Sequence, residues 1–423
     1  MAIKLSRLVS KEIKETLWAV FTKGGTFVLY FLFGIVLSRN VTVEELGRWS
    51  FLFSLLTILS TIAYFGVNAS VKKFLAESPK ENIEDVLKQS LNTRIVASLF
   101  ALFVAPILFF IILILTKSPE YLEFIVLGSV FIFLSTFSEF FKSVFSGLHR
   151  IKYNFFVNIA EFGSRLMLLL IFAYFFELSI TFILIAFVIS LFLASLVGLT
   201  IFYFDYFHKK KIKISYKVNK DMAKYAIPLF IISIGFLVLT ELDTIMINTI
   251  STDYETGLYN IAKQLTGKLP QIALALSMGV MPVFAKINSD NVKKLEKKFW
   301  RLVLIDLGIF VPISLILIFG SGFIINLLYG ESYIEAVKSV QYLVPYTLMY
   351  SVAILLSGFL DYVGKANRRA INLTIALILN VLLNFFLIPK MGAEGAALAT
   401  SIAYSPYFIL NMIEVIKYFW TVY

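Results

Sequence analysis

WAVFTKGGTFVLYFLFGIVLSRN, residues 18–40, is an apolar run of helix length with one lysine, Lys23, set inside it. A charge at the centre of a bilayer costs roughly 2.5 to 3.5 kcal/mol on insertion scales, so such a residue faces a bundle interior or a water-filled cavity. The reading of Lys23 therefore depends on whether the run spans a membrane.

Composition answers this: 59% of the residues are apolar, 15% are charged, and the mean hydropathy is +0.86, far from soluble-domain averages. Apolar stretches of roughly 20 residues, enough to cross about 30 Å of hydrocarbon, recur twelve times between 13–38 and 393–416. The chain reads as an all-α polytopic membrane protein. MAIKLSRLVSKEIKE at the start has no cleavage pattern and reads as a basic interfacial segment, so the first span is retained. With no cysteine, disulfides, thiolate metal sites and Cys nucleophiles are excluded. His149 and His208 fall in separate loops.

The net charge of +11 sorts by loop. Basic residues gather around 4–14, 72–94, 150–152, 209–224, 286–301, 365–369 and at Lys417, whereas the alternate segments hold Arg39, Arg48, Lys117 and Lys390. The positive-inside rule then predicts a multi-pass protein of the cell (plasma) membrane with both termini cytoplasmic. The basic loops report topology and contact with membrane lipids, not nucleic acid.

The most polar interruption, residues 206–223, is expected to be a cytoplasmic basic linker between an N-terminal lobe, 1–205, and a C-terminal lobe, 224–423. The halves echo each other. TVEELGRWSF (Thr42 to Phe51) lies 210 positions before TDYETGLYNI (Thr252 to Ile261), matching Thr42 with Thr252, Glu45 with Glu255 and Gly47 with Gly257. Six spans per half is even, so the expected fold has twelve transmembrane helices in two six-helix lobes related by pseudo-twofold symmetry about the membrane normal. Transporters built this way place their substrate site near the midplane between the repeats.

Each intramembrane charge can be tested for a partner three or four residues away on its own helix. Glu161 with Arg165, and Glu139 with Lys142, pass. Lys23, Lys263 and Lys268 have none. Lys268 belongs to a polar stripe, Asn260, Gln264, Lys268, Gln271. Glu241, at a depth similar to Lys263, is its candidate partner. The expected outcome is a cationic cleft in which Lys23, Lys263, Lys268, Gln264 and Arg165 meet an anion. Gly24 and Gly25 beside Lys23 fit close approach of a ligand and tight helix packing equally.

A second constellation lies in ILNVLLNFFLIPKMGAEGAALAT, where Asn380 and Asn384 are i,i+4, Pro389 is expected to end the span, and Thr400 lies early in the next. With Asp243 they supply one carboxylate and neutral oxygens, a hard ligand set suited to a small coupling ion, Na+ or H+. Packing glue between helices is the alternative reading. No other cofactor and no metal centre is expected.

The segments LSRNVTVEELGRWSF, FGVNASVKKFLAE, GLYNIAKQLTG, LLYGESYIEAVKSVQYLVP and LNVLLNFFLIPKMGAEGAALAT, in this order, resemble the polysaccharide-biosynthesis (Wzx-like) flippases of the multidrug/oligosaccharidyl-lipid/polysaccharide (MOP) exporter superfamily. The resemblance covers nearly the whole chain. It implies a MATE-like two-lobe transporter that works as a monomer by alternating access, moving a polyprenyl-phosphate-linked glycan from the cytoplasmic to the outer leaflet. Lys23 would then receive the phosphate, and Arg48 and Arg39 at the outer mouth would receive it on exit unless Glu44 and Glu45 satisfy them.

Two other readings compete. A drug exporter of the same superfamily would carry a net negative cleft, against the lysines here. A membrane-embedded glycan ligase or polymerase needs an acid, base or metal cluster on a sizeable outer loop, and the outer loops are short, without histidine and with few carboxylates.

Overall fold

The computed structural model describes residues 2–79, 82–207, 220–267, 269–270, 272–274 and 292–422. The helices are α1 (Ala2–Asn40), α2 (Val43–Tyr64), α3 (Val67–Glu77), α4 (Ile83–Leu115), α5 (Ile125–Gly147), α6 (Ile151–Asn158), α7 (Ser164–Phe175), α8 (Ile180–Phe202), α9 (Lys220–Ile250), α10 (Asp253–Thr266), α11 (Val292–Leu328), α12 (Ala336–Tyr362) and α13 (Ala366–Val422). Among the described residues nine segments are long and apolar enough to cross a membrane. α6 and α7 join through a π turn, Ile159–Gly163, into one span. α13 bends at Gly392 (φ 52°, ψ −127°), so it holds two crossing arms. The expected all-α polytopic fold is present.

The eleventh span does not stop at Pro389 as expected; the helix runs on to Gly392. Glycine is needed there because φ is positive and an added Cβ would lie 2.4 Å from the Glu255 carboxylate. Glu255 also accepts the Ala393 N–H at 2.8 Å, capping the second arm. That arm begins with small residues. At Gly395 a Cβ would stand 2.5 Å from the Leu387 carbonyl oxygen, and Ala393, Ala396, Ala397 and Ala399 are buried. Small side chains let the two arms close on each other.

The chain divides into two compact units: Met1–Val41 with Leu52–Glu241, and Thr42–Phe51 with Leu242–Tyr423. Both α2 and α9 contribute to each. Most of the expected linker, 208–219, lies outside the described residues.

In the first unit α5 packs on α3, α4 and α8 around Phe140, Phe141, Phe145 and Val144. Arg94, which the sequence assigns to a basic cytoplasmic segment, is instead fully buried in α4. Its Nη2 donates to the Ala63 carbonyl at 2.8 Å and its Nε to Ser98 Oγ at 3.0 Å. Ala63 is in the last turn of α2, whose carbonyls lack helical partners, so the guanidinium satisfies that helix end and offsets its negative pole.

In the second unit the repeated segments touch. A Cβ at Gly47 would stand 1.8 Å from the Asp253 carbonyl oxygen, and one at Gly257 would stand 2.1 Å from the Val43 carbonyl oxygen. The two glycines that the sequence pairs at 210 positions thus sit in one reciprocal contact between the starts of α2 and α10. Thr42 and Glu45 form a capping box, with Thr42 N–H on Glu45 Oε2 at 2.9 Å and Glu45 N–H on Thr42 Oγ1 at 3.2 Å. Thr252 caps α10 in the same way, accepting from Glu255 N–H. The Glu255 side chain, however, leaves to hold Ala393.

Candidate functional site

Asp243, Asn380, Asn384 and Thr400, chosen from three separate segments of sequence, come together in the second unit. The Asp243 carboxylate accepts from Asn384 Nδ2 at 2.6 Å on Oδ1, and from Thr400 Oγ1 at 2.6 Å on Oδ2. Asn384 Nδ2 also reaches Asn380 Oδ1 at 3.1 Å, and Asn380 Nδ2 reaches Thr400 Oγ1 at 3.4 Å. Helix spacing places the two asparagines one turn apart on the first arm of α13, and the Gly392 bend brings Thr400 back opposite them. Asp243, Asn380 and Asn384 are each at most 2% exposed.

A fifth member escaped the sequence reading. Tyr259 of α10 donates its hydroxyl to Asp243 Oδ2 at 2.7 Å. Its signal was a tyrosine inside a span, since a buried phenol needs a hydrogen-bond partner.

Among the described residues every partner of the Asp243 carboxylate is neutral, so its charge has no ionic counterpart. The side-chain oxygen of Asn384 is buried with no hydrogen-bond partner. A carboxylate, an orphaned amide oxygen and two hydroxyls form an all-oxygen set of the kind that suits a small hard cation.

The described residues among the expected cations belong to both units. Lys23 is exposed on α1, as are Val20, Phe21 and Val28 on neighbouring turns. A Cβ at Gly24 or Gly25 would have no atom within 4 Å, so these glycines serve no helix packing and leave the backbone beside Lys23 open. Lys263 Nζ lies 3.4 Å from Thr244 Oγ1, and Gln264 Nε2 donates to Asn260 Oδ1 at 2.6 Å while its own oxygen is buried without a partner. Glu241 accepts from Ser54 Oγ at 2.8 Å. Lys268 lies outside the described residues.

Arg165 is committed within the first unit. Its Nη2 meets Glu161 Oε1 at 3.1 Å, its Nε meets Ser190 Oγ at 3.2 Å, and its guanidinium lies 3.9 Å from the Phe187 ring centroid. Lys142 Nζ bridges Glu161 Oε2 and Glu139 Oε1, each at 2.7 Å, and Ser138 donates to Glu161 at 3.0 Å. The two helical pairs predicted separately are one network, joined because the π turn carries Glu161.

Arg48 is not satisfied by Glu44 or Glu45 as that alternative had it. Its Nε pairs with Asp253 Oδ2 at 2.8 Å, because the glycine contact brings α10 against this turn of α2 while Glu45 caps Thr42.

Comparison with known proteins follows the same lines. The fold is similar to a multidrug resistance MATE family transporter of the MOP superfamily in an inward-facing conformation, with TM-score 0.75, 13% identity and 94% and 95% of the two chains covered. It is also similar to the lipid II flippase MurJ in an inward closed conformation, with TM-score 0.71, 16% identity and 96% and 89% covered. In sequence the chain is 23% identical to the uncharacterized membrane protein MJ1068 of Methanocaldococcus jannaschii over 93% of its own length and 82% of the relative's. Residues 228–386 match the MatE family. Residues 13–288, more than half of the chain, match the polysaccharide biosynthesis protein family, so the chain belongs to that family.

Proposed function

We propose that this protein moves a polyprenyl-phosphate- or pyrophosphate-linked oligosaccharide from the cytoplasmic to the outer leaflet of the plasma membrane, by alternating access, as a monomer with both termini cytoplasmic. The observation that carries the reading is Lys23: an exposed ammonium beside an open Gly24-Gly25 backbone, inside the membrane-length segment Leu17–Asn40. Membership of the polysaccharide biosynthesis family supports a glycan cargo, and the fold shared with a lipid II flippase supports a lipid-linked one.

A phosphate leaving water loses its hydration, and a fixed ammonium in a low-dielectric setting offsets much of that loss. Lys23 would pair with the headgroup while the glycines let its oxygens approach the helix backbone. In the second unit Lys263, Gln264 and Arg48 are candidate headgroup contacts in their own right. Asp243, Asn380, Asn384, Thr400 and Tyr259 would hold a coupling cation. When bound, Na+ supplies the counter-charge that Asp243 lacks; a proton does so by neutralising the carboxylate.

The test is a reconstituted flipping assay with a fluorescent prenyl-diphosphate-linked glycan. Lys23→Glu is expected to slow flipping by at least about tenfold, equivalent to roughly 1.4 kcal/mol, and Lys23→Arg to keep most of it. Full transport by well-folded Lys23→Glu protein overturns the assignment. The MatE match over 228–386 favours a second reading, export of small organic cations. Under that reading Lys23→Glu leaves ethidium efflux intact or raises it.

A further inference from the structure

The second unit carries a group of tyrosines that the ion and headgroup assignments do not use. Tyr346 and Tyr350, one turn apart on α12, stack with ring centroids 5.4 Å apart and planes 22° from parallel. Tyr404, on the second arm of α13, stands edge-on to both, at 5.0 Å and 5.5 Å. Tyr407 continues the series 5.1 Å from Tyr404. Ala353 and Ala376 are buried against this group. Tyr346 lies roughly 15 Å along α12 from its first residue, about half of a bilayer core.

The hydroxyls are distributed unevenly. Tyr407 is closed off by Ser357 at 2.7 Å. Those of Tyr346, Tyr350 and Tyr404 have no hydrogen-bond partner among the described residues, and none is sealed in packing. Phenols at this depth normally find a partner, so three open ones on a stacked platform point to a ligand that brings its own polar groups. The surroundings select its charge. Asp361 and Arg369 neutralise each other at 3.1 Å, and Lys338 pairs with Glu394 at 3.6 Å, while Asp243, the carboxylate near Tyr346, is held by the neutral donors of the cage, so the platform offers rings and hydroxyls and no cation that would call for an anionic ligand. A neutral, flat, hydroxylated ligand fits: a pyranose lays its C–H face on aromatic rings while its hydroxyls exchange hydrogen bonds with phenols.

The platform is also fixed to the ion cage. Pro345 has no N–H to give to α12. One residue on, Tyr346 N–H lies 3.3 Å from Ser401 Oγ, and the Ser401 hydroxyl donates to the Tyr342 carbonyl, the group Tyr346 would meet in a regular helix. A side chain inserted into the helical ladder beside a proline fixes a bend. Ser401 follows Thr400, which holds Asp243. The cage and the root of the tyrosine stack therefore hang on successive residues of one helix.

We infer that Tyr346, Tyr350 and Tyr404 form a stacking platform for a sugar ring of the cargo, kept in register with the Asp243 cage by Ser401. This rests on the flippase reading above and adds where the glycan is recognised. The test measures binding of two probes to the full chain in nanodiscs: geranylgeranyl diphosphate, and the same lipid carrying N-acetylglucosamine on the diphosphate. The wild type is expected to bind the sugar-bearing probe about tenfold more tightly, the scale of one or two good aromatic contacts. Tyr346→Leu and Tyr404→Leu should each remove most of that increment while leaving the bare lipid's affinity unchanged, and Tyr346→Trp should retain it. Unfolding temperatures of all three check that the variants fold. A sugar increment that survives both leucine variants, or a wild type that binds both probes equally, overturns the platform and leaves the flippase reading standing. A wild type that binds neither probe overturns both.

Discussion

The Glu161 network and the Asp243 cage are both polar clusters buried at membrane depth, but their charges close differently. Around Glu161 two carboxylates meet two cations: Lys142 bridges Glu139 and Glu161, and Arg165 takes the remaining Glu161 oxygen. Phe187 and Ser190 occupy the rest of the guanidinium. Around Asp243 one carboxylate is held by a phenol, a hydroxyl and an amide, with a second amide behind. The charges of the first cluster are matched by its own members. The second leaves a charge and an oxygen unmatched.

The largest effect should come from breaking the closed cluster. Glu161→Gln strips two buried cations of their shared acceptor, and opening a buried ion pair from one side costs about 3–5 kcal/mol. Thermal unfolding of purified protein should show the loss. The double change Glu161→Gln with Arg165→Gln should recover part of it, because one orphaned charge is removed. A single variant as stable as the wild type would mean that the network is not closed by charge.

The open cluster should behave in the opposite way. Asp243→Asn strands no cation, so without sodium the variant should unfold within about 1 kcal/mol of the wild type, in the range of substitutions that create no buried unpaired charge. The difference should appear on adding sodium. A ligand at a hundred times its dissociation constant stabilises by about 2.7 kcal/mol, and Asp243→Asn should lose that shift. A wild type whose stability ignores sodium but follows pH would assign the counter-charge to a proton. One that responds to neither would leave the cage as packing glue.

These two clusters were legible to different degrees for a physical reason. The pairs Glu139 with Lys142 and Glu161 with Arg165 follow from helical spacing. Their fusion into one network depends on a π turn and on the packing of α5 near that turn, which no local spacing encodes. The cage was legible because polar side chains in apolar spans are rare enough to be noticed: Asp243, Asn380, Asn384 and Thr400 stand out against their neighbours. Tyr259 did not, since the chain has 21 tyrosines and hydropathy does not separate this one from the others. The burial of Arg94 was not legible because it lies next to a basic loop in sequence, whereas the helix end it satisfies, at Ala63, is 31 residues away. The glycine echo at 47 and 257 was visible as a repeat, and its use as a reciprocal contact was not.

The smallest effect concerns the ion pair that this contact creates. Arg48 and Asp253 are joined at 2.8 Å, but their side chains are 53% and 30% exposed. An exposed pair contributes about 0.2–1 kcal/mol, and Asp253 keeps a second partner in Asn248 Nδ2 at 2.7 Å. Arg48→Gln should therefore lower stability by no more than about 1 kcal/mol, well short of Glu161→Gln. The same variant shows whether Arg48 also serves transport. If the guanidinium does no more than tie α2 to α10, flipping by Arg48→Gln should match the wild type once protein amounts are equal. If it also meets the departing headgroup, flipping should slow without a matching loss of stability and recover in Arg48→Lys, which keeps the charge but not the fork.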